Sequence, residues 1–295
     1  MDNTLHFGHN ILTKYGFITV AEYAHKTGAN VFQIFLRSPH SYKAARKNKK
    51  DIIKIRDSAN KYKIKILVHG NYLMNFCNPE NSFIHTRSTV ILKEDLEDAL
   101  TMGAMGVVVH MGHNVKKLDL TNQEAEKNFI KGLETSLKIS PDKSTIILET
   151  GAGQGDEVFT KLQDLGSLRN RIDKCYHHRI KFCIDTCHIF SAGYDVSSVA
   201  YVQLLDCIIE NYLGWENVAV IHFNDSKEPL NCKKDRHQDI GKGCIGLQGL
   251  IAFGKMCYSH NVPMILETPS NEYNGIRFHY TDQMKLMRKK ILEPN

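Results

Sequence analysis

Histidines and carboxylates that close short apolar runs are the residues in this sequence best placed to do chemistry. His69 follows the run 64–68, His110 follows 106–109, Glu149 follows 145–148, Asp185 follows 180–184, His222 follows 218–221, and Glu267 follows 263–266. One such residue after a strand is ordinarily a cap or a hydrogen-bonding group. Six at the same structural position would require the same accident six times. Two further pairs join them, Asp185 with His188 and Asp235 with His237, each letting one backbone segment offer a carboxylate and an imidazole to a cation. The inventory is five His, two Asp and two Glu. Nine donors exceed one tetrahedral site and suit two or three metals sharing a bridging carboxylate. So many imidazoles favour zinc over magnesium, which prefers carboxylates and water. Such a cluster suits phosphodiester hydrolysis: one metal lowers the pKa of a water, and the others neutralise the phosphate oxygens and the leaving alkoxide.

The elements that must position these side chains are short, β-branched and nearly continuous in apolar character, as in parallel strands covered on both faces. Eight are expected, at 5–8, 31–36, 64–68, 106–109, 145–148, 180–184, 218–221 and 263–266. Helical patterns lie between them, including 95–100, which Gly103 terminates, and 123–137. Strand and helix alternating eight times predict a (β/α)₈ TIM barrel, an α/β fold whose active site gathers at the C-terminal ends of the strands. No linker, internal repeat or low-complexity tract interrupts the chain, so one barrel domain over 1–295 is expected. The stretch 224–246 shows no clean element, and a loop of that size in a compact domain is usually functional. The Lys- and Arg-rich segment 43–65 reads as a solvated helix face, with approach to DNA as the lesser alternative.

Composition narrows the class further. With 42% hydrophobic and 24% charged residues among 295, the chain can bury a large core. A net charge of +6 suits a polyanionic partner without requiring one. The 15 His are about twice ordinary usage, and His is the commonest metal ligand. None of the eight Cys forms a C-x-x-C pair, and Cys183 and Cys187 read as packing residues beside Asp185. The start of the chain reads as lacking a leader, and no apolar run approaches the roughly 20 residues that cross a bilayer. A reducing, intracellular, cytoplasmic protein with free thiols and no membrane association is expected. Lys-, Asn- and Ile-rich usage suggests an AT-rich genome, and a viral or nuclear setting stays open.

Three longer blocks carry a resemblance. They are Ile147-Leu148-Glu149-Thr150-Gly151-Ala152-Gly153-Gln154-Gly155, then Cys183-Ile184-Asp185-Thr186-Cys187-His188 running on to Ala192-Gly193-Tyr194-Asp195, and His222-Phe223-Asn224-Asp225-Ser226-Lys227 followed by Asp235-Arg236-His237 and Ile240-Gly241-Lys242-Gly243. In this order the sequence resembles the endonuclease IV family of abasic-site endonucleases along essentially its whole length. The resemblance implies three zinc ions per chain and base excision repair of double-stranded DNA containing abasic sites, by a monomer. By motif, His69, His110 and Glu149 look like ligands of one zinc. Glu149, Asp185, His222 and Glu267 look like those of a second, with Glu149 bridging, and His188, Asp235 and His237 like the shell of a third. In that family a bridging hydroxide attacks the phosphorus 5′ to the abasic sugar and leaves a 3′-hydroxyl and a 5′-deoxyribose phosphate. Glu149 and Glu267 would position that nucleophile, and cleaning of blocked 3′ ends is implied as well.

By the same likeness, Tyr72 and Leu73 look like a wedge filling the gap left by a displaced nucleotide. In Phe35-Leu36-Arg37-Ser38-Pro39-His40-Ser41-Tyr42 the family often inserts an Arg where His40 stands, so either His40 or Arg37 would take that role. Asn10 stands where relatives commonly carry His, and neither His9 nor Asn10 is assigned a metal. The glycine run 151–155 is spaced too closely for a dinucleotide fingerprint and reads as a tight loop. The rival enzyme reading is a xylose-isomerase-like sugar isomerase or epimerase on the same barrel, which needs neither the set His188, Asp235 and His237 nor a wedge. A DNA-binding barrel without activity is the rival from another class, and a complete ligand set argues against it.

Overall fold

The computed structural model describes residues 4–13, 16–43 and 45–294. The residues read for a leader, 1–3, and the last residue of the expected domain lie outside the described residues. Eight parallel strands close into a barrel: β1 (Phe7–Asn10), β2 (Val31–Phe35), β3 (Lys65–His69), β4 (Val107–Val109), β5 (Ile146–Glu149), β6 (Ile180–Asp185), β7 (Val218–His222) and β10 (Met264–Leu266). Two two-residue ladders sit outside the barrel, β8 (Asp225–Ser226) with β9 (His237–Gln238) and β11 (Glu272–Tyr273) with β12 (Ile276–Arg277). The helices are α1 (Val20–Lys26), α2 (Lys49–Tyr62), α3 (Phe83–Met102), α4 (Asn122–Lys138), α5 (Leu162–Arg171), α6 (Thr186–Ala192), α7 (Val199–Tyr212), α8 (Gly246–Ser259) and α9 (Tyr280–Leu292). The (β/α)₈ barrel expected from the alternation is the one formed.

Local signals explain most boundaries. Gly103 ends α3 in a left-handed conformation (φ 71°), and Thr121 caps α4 through a reciprocal bond with Glu124. α2 buries only Ile52, Ile55 and Ala59, so its basic residues cover a solvated face. The first strand is displaced by two residues from the expected 5–8, because Asn30 ties down its beginning: Oδ1 accepts from the Phe7 amide at 2.7 Å and Nδ2 donates to the Leu5 carbonyl at 3.0 Å.

Inside the barrel one apolar layer is built from Val31, Leu67, Val108, Ile147, Cys183, Val220 and Ile265, one residue from each of seven strands. Gly8 fills the eighth place, where a Cβ would fall 1.6 Å from the Val31 carbonyl oxygen. Side chains alternate faces along a strand, so two residues later each strand again points inward. That next layer reads Asn10, Gln33, His69, His110, Glu149, Asp185, His222 and Glu267. The apolar layer is thus a floor, and the layer above it is the polar mouth.

Candidate metal centre

The mouth brings all nine candidate ligands together. Glu149 lies at its centre, fully buried, with its two oxygens facing different partners. Oε2 is 3.4 Å from His69 Nε2 and 3.4 Å from His110 Nδ1, while Oε1 is 2.8 Å from His222 Nδ1. Glu267 Oε2 is 3.2 Å from the same His222 nitrogen. Asp235 Oδ1 stands 3.2 Å from both His188 Nε2 and His237 Nε2. Asp185 Oδ2 lies between two sets, 3.4 Å from His237 Nε2 and 4.0 Å from His222 Nδ1.

His237 arrives through the long seventh loop, where β8 and β9 pair Ser226 with His237. Buried Asp225 fastens that loop by accepting the amides of Ser226, Gly243, Ile245 and Gly246. A further tie joins the fifth and seventh loops: Glu157 accepts the Gly153 amide at 2.8 Å, and Gln154 Oε1 accepts that of Asp235 at 3.3 Å. The glycine run is therefore the tight loop expected, with Gly153 and Gly155 at positive φ.

Most of the imidazoles have one nitrogen committed elsewhere. Nδ1–H donates to a backbone carbonyl in His69 (Gly70, 2.8 Å), His188 (Thr150, 2.7 Å) and His237 (Glu267, 3.3 Å), which turns Nε2 of each toward the carboxylates. This is the carbonyl–imidazole arrangement that orients metal-binding histidines. Glu149 Oε2, His188 Nε2 and His237 Nε2 are buried with no hydrogen-bond partner, an expensive condition unless a cation completes them. A tetrahedral zinc with bonds of about 2.0–2.1 Å separates its donors by roughly 3.3 Å. The spacings of 3.2–3.4 Å match that separation, so the residues fit the ion.

The electrostatics of the cage agree. Burial works to raise the Glu149 carboxyl, yet the imidazoles of His110, His222 and His69 outweigh it and hold it well below the usual range. Burial would lower His237, but Asp185 and Asp235 carry it up to about 9. His188 is likewise held well above the usual imidazole value, against burial, by Asp185 and Asp235. Burial pushes the thiols of Cys183 and Cys187 up to about 12, which keeps them protonated as packing groups.

At the rim, Tyr72 is 43% exposed and Leu73 36%. The Tyr72 ring lies 5.2 Å from that of His69, 5.5 Å from His110 and 5.3 Å from His40. The second and third loops are laced into one platform. Asn71 Nδ2 donates to the carbonyls of Ser38 and Ser41, the Tyr72 amide to that of Pro39, and the Tyr42 hydroxyl to that of Leu73. His40 is exposed on that platform.

Arg37 requires a correction. Only 6% exposed, it donates through Nε to Asp95 Oδ1 at 3.0 Å and through Nη1 to Glu94 Oε2 at 2.9 Å on α3. A guanidinium buried between two carboxylates cannot also insert into a ligand, so of the two candidates only His40 is available. Arg37→Ala is expected to cost about 3–5 kcal/mol in denaturant unfolding, because it strands a buried carboxylate. A loss below about 1 kcal/mol would show that the pair contributes no such support.

Two residues of the site were not identified in the sequence. Gln33 occupies the mouth layer in β2, and Asn224 donates from Nδ2 to Asp185 Oδ2 at 2.7 Å while its Oδ1 accepts the Glu267 amide at 2.8 Å. Counting two residues on from the apolar layer would have found Gln33. Asn224 gave only its place beside His222.

The family model described as a Xylose isomerase-like TIM barrel matches residues 21–290. A relative from Acanthamoeba polyphaga mimivirus that bears the name endonuclease 4 is 37% identical over 273 residues, covering 92% of this chain and 88% of that protein. The solved endonuclease IV from Thermus thermophilus superposes with a TM-score of 0.81 at 25% identity, over 97% of this chain and 98% of that one. A D-tagatose 3-epimerase-like protein also superposes, with a TM-score of 0.71 at 16% identity over 96% of this chain and 97% of its own, a likeness of fold alone. In this chain His188, Asp235 and His237 converge in the mouth beside the Glu149 group. By its sequence, its barrel and its relatives, this chain belongs to the endonuclease IV family.

Proposed function

We propose that the chain, acting as one unit over residues 1–295, is a zinc-dependent abasic-site endonuclease of base excision repair. It hydrolyses the phosphodiester 5′ to an abasic sugar in duplex DNA, leaving a 3′-hydroxyl and a 5′-deoxyribose phosphate, and trims blocked 3′ ends by the same chemistry. The observation that carries this reading is Glu149, whose two oxygens serve two different groups of imidazoles, as a bridging carboxylate must.

His69, His110 and Glu149 would hold one zinc. Glu149, Asp185, His222 and Glu267 would hold a second, and His188, Asp235 and His237 a third, with Asp185 between these last two. Together the ions would supply an acidified water and the positive charge that a phosphodiester needs. Glu149 and Glu267, whose carboxylates both lie beside His222 Nδ1, would position that water. Tyr72 and Leu73 enter the gap left by the displaced nucleotide, and His40 inserts beside them.

The direct test is a duplex carrying a single tetrahydrofuran analogue, which cannot break by β-elimination. A nick on its 5′ side with a 3′-hydroxyl product is expected. Tight binding without a nick, at saturating zinc, overturns the reading in favour of an inactive DNA-binding barrel. Tyr72→Ala should lower the preference for abasic over intact duplex by roughly 10- to 100-fold, the worth of one aromatic stacking contact of about 1–3 kcal/mol. Equal losses on both duplexes would leave Tyr72 only a packing role.

A further inference from the structure

We propose that Gln33 is a positioning residue of the metal centre: its single amide decides which atom of His222 and which atom of Glu267 face the cations. The inference rests on the zinc reading given above. Gln33 lies in β2 with no exposed surface, between the apolar side chains of Phe32 and Ile34 along its strand. Both ends of its amide are used on the mouth. Nε2 donates to Glu267 Oε1 at 2.7 Å, and Oε1 accepts from His222 Nε2 at 2.9 Å.

The direction of these bonds is forced. An ionised carboxylate can only accept, so the amide NH₂ must face Glu267. The amide oxygen then faces His222, and an oxygen there requires that Nε2 carry the ring proton. His222 is thereby set as the tautomer whose lone pair is on Nδ1, and Glu267 is left with Oε2 free. Those two atoms are 3.2 Å apart, and Glu149 Oε1 lies 2.8 Å from the same Nδ1. Donor atoms from β5 and β7 and from the end of β10 thus converge because one amide on β2 occupies the opposite side of two of them. The other tautomer would aim a lone pair at the Gln33 oxygen and place a proton among the carboxylates, where a cation is needed.

The same residue explains why a polar side chain occupies the interior of β2. A buried amide left unpaired is costly, and here each end finds a partner on a different strand or strand end. Outer partners of this kind typically change metal affinity by 10- to 100-fold when removed.

The test uses the zinc-loaded full chain with Gln33→Met, similar in size but without the amide, and Gln33→Glu, which keeps the acceptor for His222 and replaces the donor to Glu267 by a second carboxylate. Zinc retained per chain is measured by elemental analysis across a graded series of chelator concentrations, and circular dichroism melting checks the fold. Both variants are expected to give up one zinc at chelator levels roughly 10- to 100-fold below those the wild type withstands. Nitrogen-15 spectra of zinc-loaded chain should place the His222 proton on Nε2 and show it hydrogen-bonded in the wild type and in Gln33→Glu, whereas in Gln33→Met that N–H should lose its acceptor and exchange its proton faster. If Gln33→Met does not fold, Gln33→Glu decides the point by zinc release. Variants that hold three zincs as firmly as the wild type overturn the role given to Gln33. A wild type that never holds zinc overturns the metal reading itself, a separate result.

Discussion

Glu149→Gln is expected to lower single-turnover nicking of an abasic duplex by about 10⁴-fold, on the order of 5 kcal/mol in the barrier. The size follows from what the substitution does at one point. Glutamine has the volume of glutamate, so a side chain with no exposed surface is replaced without a cavity. It keeps one acceptor oxygen, however, and puts an NH₂ group where the second was. If the NH₂ replaces Oε2, it faces His69 Nε2 and His110 Nδ1; if it replaces Oε1, it faces His222 Nδ1. Either way a donor confronts nitrogens that must offer lone pairs to a cation, and the bridge is lost. Zinc content should fall together with the rate, while the circular dichroism spectrum stays unchanged. A variant within about tenfold of the wild-type rate would show that Glu149 does not bridge.

Stripping the metals should abolish nicking and change how stability depends on pH. Without a cation, His237 gains its charge from Asp185 and Asp235, which raise it against burial from 6.5 to about 9. A histidine whose folded pKa exceeds its unfolded value stabilises fully below the unfolded value and loses that stability as pH climbs through the folded one. The stripped protein should therefore weaken between about pH 6.5 and pH 9, by about 3 kcal/mol from His237 alone. His188 and His222, also held well above the usual imidazole value, act in the same direction. The loaded protein behaves oppositely, since zinc binds deprotonated imidazoles and competes better with protons as pH rises. The gap in melting temperature between loaded and stripped protein should widen across that window. A gap that is constant or narrows would mean that protons and zinc do not compete for these nitrogens.

Much of this centre was legible along the chain because a barrel strand converts position into direction. Each apolar run ends near the mouth, so the residue closing it points into the site, and His69, His110, Glu149, Asp185, His222 and Glu267 could be read one by one. His188 and His237 were legible for a different reason: His237 lies two residues from Asp235, which its ring meets, and His188 three residues from Asp185, beside which its ring comes to lie. The choice between Arg37 and His40 stayed open because sequence shows a basic residue in a loop near the mouth but not the acidic face of α3 that buries Arg37.

The sequence by itself determined the barrel and the ring of histidines and carboxylates at the ends of its strands, since these depend on local alternation and residue chemistry. Only the tertiary structure decided which nitrogen of each imidazole faces the carboxylates, that Asp185 stands between His237 and His222, and that Gln33 and Asn224 hydrogen-bond to His222, Asp185 and Glu267. Those choices are made by hydrogen bonds between strands and loops far apart in the chain, such as the 189 residues separating Gln33 from His222, and no local pattern records them.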